Sequence, residues 1–203
     1  CYLDDIIVTG HNDEEHMENL LKVLRRLEEA GLRLGKEKCE FFKRSVTYCG
    51  HIISKEGLRK TRQLVEAVLA APTPKSPTDI RAFCGLAGYY RDFIPNLSTI
   101  QKPLMDLTTK AAKWTWTEKH ADAFQNIKDV IAKDVTLAHF DPRKEITLST
   151  DASLCGIGAI LSHIMEDGKE RPVSFASRVL KDAEKNYSTI EKEAVAVRWG
   201  GEK

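Results

Sequence analysis

Cys1-Tyr2-Leu3-Asp4-Asp5-Ile6-Ile7-Val8 sets two adjacent carboxylates between two short β-forming apolar runs. Asp is disfavoured inside a strand. At a hairpin tip, by contrast, both side chains reach one small volume. Two packed anions repel unless a proton or a divalent cation neutralises them. Oxygen donors of this kind suit Mg²⁺, which keeps several waters and often takes phosphate oxygens as well. The stretch therefore reads as a metal-dependent phosphoryl-transfer tip, and the dipeptide alone reads equally as a solvated turn.

Further blocks follow in order. They are Lys38-Cys39-Glu40-Phe41, Tyr48-Cys49-Gly50-His51-Ile52-Ile53-Ser54 and Phe83-Cys84-Gly85-Leu86-Ala87-Gly88-Tyr89-Tyr90-Arg91-Asp92-Phe93-Ile94-Pro95. Thr150-Asp151-Ala152-Ser153 with Gly156-Ile157-Gly158-Ala159, and then Glu191-Lys192-Glu193-Ala194, complete the set. Tyr2-Leu3-Asp4-Asp5 resembles the YxDD signature of reverse transcriptases. The later blocks resemble, in turn, the primer-grip region, the FLGLxxYYRxFIP segment and the opening of the ribonuclease H domain in gypsy-type LTR retrotransposon Pol polyproteins.

The resemblance implies an α+β, multi-domain fragment. Its parts would be a palm C-terminal part over 1–71 with catalytic and primer-grip hairpins, a thumb-like helical segment over 72–110, a connection over 111–143, and a partial ribonuclease H-like α/β domain over 144–203. The implied function is RNA-directed DNA polymerase with ribonuclease H, by two-metal phosphoryl transfer using Mg²⁺ or Mn²⁺. RNA template, DNA primer, deoxynucleoside triphosphates, RNA–DNA hybrid and the rest of the Pol polyprotein would be its partners.

Residue by residue, the resemblance makes Asp4 and Asp5 metal ligands at the polymerase centre. It puts Tyr2 beneath the template-primer end and Lys38 beside the incoming nucleotide as a proton donor to pyrophosphate. Tyr48, Gly50 and His51 fall in the primer grip. Asp151 and Glu193, 42 positions apart, become the metal ligands of the ribonuclease site, with Glu191 facing solvent. Tyr89, Tyr90 and Arg91 read either as minor-groove contacts or, for an aromatic pair ending an amphipathic helix, as core.

Beginning at Cys1 and stopping at Gly200-Gly201-Glu202-Lys203, the chain reads as a fragment. It lacks the family's other catalytic carboxylates and is expected to be catalytically incomplete alone. A domesticated or degenerate remnant acting as a nucleic-acid-binding or interaction module is the alternative.

Composition is neutral on these points. Charged residues are 30% and the net charge is +1, so no global basic field advertises nucleic acid. The five cysteines are scattered without a CxxC pair, which suits reduced thiols and an intracellular, cytoplasmic setting, with a virus-like particle or the nucleus as variants. No apolar run is long enough to span a bilayer and no signal peptide is visible, so no membrane partner is expected.

Breakers organise the rest. Asn12 or Asp13 caps a helix ended by Gly31, with Met17, Leu20, Leu21, Leu24 and Leu27 on one stripe that reads as core. Val46 to Ile53 reads as a strand turning at 54–57, and a helix spans about 61–70. Pro72 to Pro77 is a linker, with Ser76 capping the next helix, whose Ile80, Phe83, Leu86 and Tyr90 share a side. Thr117 caps a helix carrying Ala121, Phe124, Ile127 and Val130. Strands are predicted at 146–150, 156–162 and 172–176, and a last helix at about 188–199.

Overall fold

The computed structural model describes residues 4–203 and forms two compact units, one up to Lys55 and one from Glu56 onward. The architecture is α+β.

In the first unit, α1 (Asp13–Glu29) begins where the Asn12 side chain accepts from Glu15 N–H at 2.8 Å. It ends in a Schellman motif: Gly31 N–H donates to Glu28 O and Leu32 N–H to Leu27 O, both at 2.9 Å. Both ends match the cap residues in the sequence. The stripe does not match its core reading. No residue of α1 is buried, and Met17 and Leu21 stay 42% and 44% exposed. Spacing shows that a helix has an apolar face; burial requires a second layer over it, and among the described residues up to Lys55 none buries this one.

Ile6 to Val8 form no strand, because a strand exists only in a ladder; the segment is tied instead by Asn19 Nδ2 donating to Thr9 O at 3.0 Å. A 3₁₀ turn covers Lys36–Lys38. The stretch read as one strand over 46–53 is a two-residue hairpin of β1 (Ser45–Tyr48) and β2 (His51–Ser54), with Tyr48 opposite His51. Cys49 and Gly50 both have positive φ, 44° and 67°, the condition for the primed turns that match strand twist. A glycine among β-formers here marks the turn, where the sequence reading continued the strand.

The second unit has one main core. β3 (Gly57–Lys60) pairs through Leu58 with Leu137, their amides exchanging bonds of 2.8 and 2.9 Å. α2 (Arg62–Leu69) and α3 (Pro77–Gly88) follow, α3 capped as predicted by Ser76 Oγ accepting from Asp79 N–H at 3.2 Å. After a 3₁₀ turn at Arg91–Phe93 come α4 (Leu97–Asp106) and α5 (Glu118–Ala132). Val68, Ile80, Phe83, Tyr90, Leu104 and Ile127 are buried together between them.

α4 was not anticipated: Asn96 before it is left-handed and Pro103 lies inside it, so its ends and interior both carry breaker signals. On α5 the buried face is Ala123, Phe124, Ile127 and Ile131, while Ala121 is exposed. Ala121 and Ala123 lie about 200° apart around the helix at 100° per residue, so the apolar stripe through Phe124 and Ile127 takes in Ala123 and leaves Ala121 to solvent.

The sheet runs in the order β4 (Ile146–Ala152), β5 (Gly156–Ile164), β6 (Glu170–Val179), antiparallel throughout and longer at its ends than predicted. One face receives α4. A Cβ on Gly158 would collide with Asn96 Oδ1, so glycine permits this approach. Ser98 N–H donates to Ser177 Oγ at 3.0 Å, and Phe175 packs on the helical core. The other face receives α7 (Thr189–Gly201), where Gly200 lies against Thr150 and Ala159. A one-turn α6 (Asp182–Lys185) joins β6 to α7 and was not anticipated, being too short for a periodic signal.

Candidate functional site

Asp4 lies in a turn and Asp5 in an isolated bridge, both with exposed side chains; the Tyr2 assignment falls outside the described residues. The Tyr48 hydroxyl donates to Asp5 O at 3.3 Å. This bond crosses 43 positions of sequence and ties the β1–β2 hairpin, read from sequence as the primer grip, to the Asp-Asp segment, read as the metal site. His51, at the base of the turn, has Nδ1 2.7 Å from Cys49 O, so that nitrogen carries the proton and donates. Gly50 supplies the second positive φ of the turn. Lys38 closes the 3₁₀ turn with its side chain in solvent.

In the second unit, Asp151 is the penultimate residue of β4, exposed, and opposite Gly158. Cross-strand partners share a face, so Asp151 lies on the α4 side. Its neighbour Thr150 faces Gly200 of α7. Glu193 is half-buried in the second turn of α7. α7 packs on the face of β4 that bears Thr150, the opposite one to Asp151, so convergence of Asp151 and Glu193 on one ion rests on the resemblance alone. Glu191 caps the same helix: Ser188 N–H and Oγ–H donate to its Oε2 at 2.7 and 2.8 Å. Those bonds hold its carboxyl below the ordinary range.

The supports of this region are polar. Arg178 and Glu184 form a two-pronged pair, Nη1 to Oε2 at 2.6 Å and Nη2 to Oε1 at 3.0 Å. Lys181 N–H also donates to Glu184 Oε2 at 2.7 Å. Hydrogen bonding from Arg178 foremost holds the Glu184 carboxyl down at about 2. The guanidinium lies 5.7 Å from the Trp199 ring of α7, so the pair fastens α6 and α7 to the end of β6.

Of the aromatic pair, Tyr90 is fully buried and bonded by Thr61 N–H at 2.9 Å, whereas Tyr89 is 46% exposed. Tyr90 is core. Sequence reasoning passed over Trp114-Thr115-Trp116, whose signal was two large aromatics alternating in a lysine-flanked, non-periodic stretch.

Comparison with known proteins agrees with this layout. Residues 1–53 match the family model described as reverse transcriptase (RNA-dependent DNA polymerase). Residues 116–203 match the RNase H-like domain found in reverse transcriptase. The chain is 41% identical over 199 residues to the retrovirus-related Pol polyprotein from transposon 297 of Drosophila melanogaster, covering 98% of this chain and 18% of that protein. It is 36% identical over 197 residues to the transposon Tf2-3 polyprotein of Schizosaccharomyces pombe, covering 97% and 15%. It therefore spans less than a fifth of the length of these relatives.

Among solved structures, the foamy viral protease-reverse transcriptase in complex with dsDNA aligns with a TM-score of 0.81 at 24% identity, over 96% of this chain and 41% of that one. The same viral protein in complex with RNA/DNA hybrid aligns with a TM-score of 0.78 at 24% identity, over 94% and 26%. These two likenesses are of fold. With a polymerase-family match, an RNase H-like match and polyprotein relatives along nearly its whole length, the chain belongs to the reverse transcriptase and ribonuclease H region of retrotransposon Pol polyproteins.

Proposed function

We propose that this region serves RNA-directed DNA synthesis and the removal of RNA from RNA–DNA hybrids, within a gypsy-type Pol polyprotein in the cytoplasm. The observation that supports this most is the order of matches in one chain, polymerase family first and RNase H-like domain second, over a fold carrying acidic residues in both. The proposed division is palm over 1–71, thumb-like over 72–110, connection over 111–143 and ribonuclease H-like over 144–203. Template RNA, primer DNA and deoxynucleoside triphosphates are the proposed substrates.

The donor chemistry fits Mg²⁺ or Mn²⁺. Asp4 with Asp5, and Asp151 with Glu193, offer only carboxylate oxygens. Among the described residues no group of three or more His, Cys, Asp or Glu gathers for a metal. Mg²⁺ commonly takes one or two carboxylates and completes its shell with water and substrate phosphate, so paired carboxylates are a fitting set. When bound, such ions stabilise charge on the attacking and leaving oxygens. The chain's own residues do the rest: Lys38 supplies a proton to the departing pyrophosphate, and the hairpin of Tyr48, Gly50 and His51 seats the primer strand. Tyr48 also fixes the Asp5 backbone against that hairpin.

The test is a titration of the 203-residue chain with RNA–DNA hybrid and with single-stranded RNA across a salt series. Tighter binding of hybrid, weakening linearly in log salt, is expected; no binding at low salt overturns the reading. In the polyprotein, Asp4→Asn should abolish primer extension and Glu193→Gln hybrid cleavage, with hybrid still bound. Undiminished extension rejects Asp4 as a ligand, and loss of cleavage in Glu191→Gln alone moves the assignment on α7.

A further inference from the structure

From the connection after α4 into the first turn of α5 the chain runs Lys110-Ala111-Ala112-Lys113-Trp114-Thr115-Trp116-Thr117-Glu118-Lys119. Residues 112–117 have no regular secondary structure. The two indoles stack, centroids 6.2 Å apart and planes inclined by 27°. Trp116 is the anchored member: it meets Phe124 of the core edge-on at 6.3 Å and lies 5.8 Å from the His120 ring. His120 is itself fixed, its Nδ1 accepting from Thr117 N–H at 3.0 Å. Trp114 rests on this rigid base and remains 38% exposed.

An indole that packs on its neighbour and still shows a face to water is an exposed apolar plane held in place. Holding it removes the ordering cost a flexible ring would carry on binding. The surrounding charge selects the occupant. Lys110, Lys113 and Lys119 are exposed, against the single carboxylate Glu118 in this stretch. A flat π surface flanked by cations suits a base with its phosphates, since every base presents a π face.

We propose that Trp114 is a stacking platform for an unpaired nucleobase of a single-stranded nucleic acid, with Lys110, Lys113 and Lys119 neutralising the adjoining phosphates. This rests on the nucleic-acid reading above and adds a contact to unpaired strand made by residues other than the proposed carboxylates.

The experiment measures binding of labelled oligo(dT) and of a blunt RNA–DNA hybrid to the 203-residue chain, by fluorescence anisotropy over a salt series. Trp114→Ala should weaken oligo(dT) binding by about 5- to 100-fold and hybrid binding by less than about twofold, and Trp114→Phe should recover most of the loss. The triple change K110Q/K113Q/K119Q should lower the log–log salt slope for oligo(dT) by about 2, near 0.7 per phosphate contact. Should Trp114→Ala not fold, the Phe and lysine variants carry the decision. Oligo(dT) affinity unchanged in Trp114→Ala, or a salt slope unchanged in the triple variant, overturns the platform while hybrid binding leaves the proposed function standing. Failure of the unaltered chain to bind either ligand at low salt overturns both.

Discussion

Replacing Glu184 with Gln removes one charge and almost no volume, so it isolates the ion pair that fastens α6 and α7 to β6. A carboxyl held at about 2 where 4.5 is ordinary corresponds to at most about 3 kcal/mol of native-state preference for the charged form. The Glu184 and Arg178 side chains keep 12% and 24% exposure, and residual solvent screening lowers the expected loss at pH 7 to about 2 kcal/mol. Removing one partner also leaves the Arg178 charge half-satisfied, which acts in the same direction.

The sign of the pH dependence follows from the depressed carboxyl. Its contribution is complete above the unfolded-state value near 4.5 and is lost as pH falls toward 2. The gap between wild type and Glu184→Gln should thus be flat from pH 8 to 6 and fall to under about half by pH 3. Urea unfolding at pH 7 and pH 3 gives the gap. Amide exchange at Lys181, whose N–H donates to Glu184 Oε2, reports it locally. A gap below about 0.5 kcal/mol at pH 7, or one of equal size at pH 3, refutes the reasoning.

Three other outcomes test the packing. Gly158→Ala puts a methyl where Asn96 Oδ1 lies and should cost about 1–3 kcal/mol; a thermal melt within a degree of wild type would show that Asn96 moves aside freely. Tyr90→Phe leaves the Thr61 N–H without its 2.9 Å partner and should cost about 1–3 kcal/mol, read by denaturant midpoint at unchanged slope. Burial pushes the Cys84 thiol up to about 11, so at pH 8 iodoacetamide should label Cys39 and Cys155 well before Cys84, and equal rates would contradict its burial.

Local chemistry was legible wherever a residue type has one dominant conformational use. Asn12 and Ser76 cap the helices that the sequence placed after them, because a short polar side chain satisfies amides that no turn of helix can. Gly31 ends α1 for the complementary reason. The strands of the ribonuclease H-like sheet were readable from their β-branched and small residues. The candidate acidic residues were visible through ordered resemblance, since Asp4-Asp5 alone is indistinguishable from a turn.

Other features depend on contacts distant in sequence, and only the tertiary structure decided them. The stripe on α1 is as regular as that on α3, yet no residue of the first is fully buried and the second forms a core. Periodicity shows that a helix has a face and says nothing of what covers it. Tyr89 and Tyr90 are chemically alike, and a rotation of about 100° per residue separates solvent from the Thr61 bond. The face of β4 that bears Asp151 is set by register with Gly158, seven positions on. Bonds such as Tyr48 to Asp5, spanning 43 positions, form only once the chain has folded. Sequence determines backbone preferences that act within a few residues; the sharing of space between remote side chains is settled by packing.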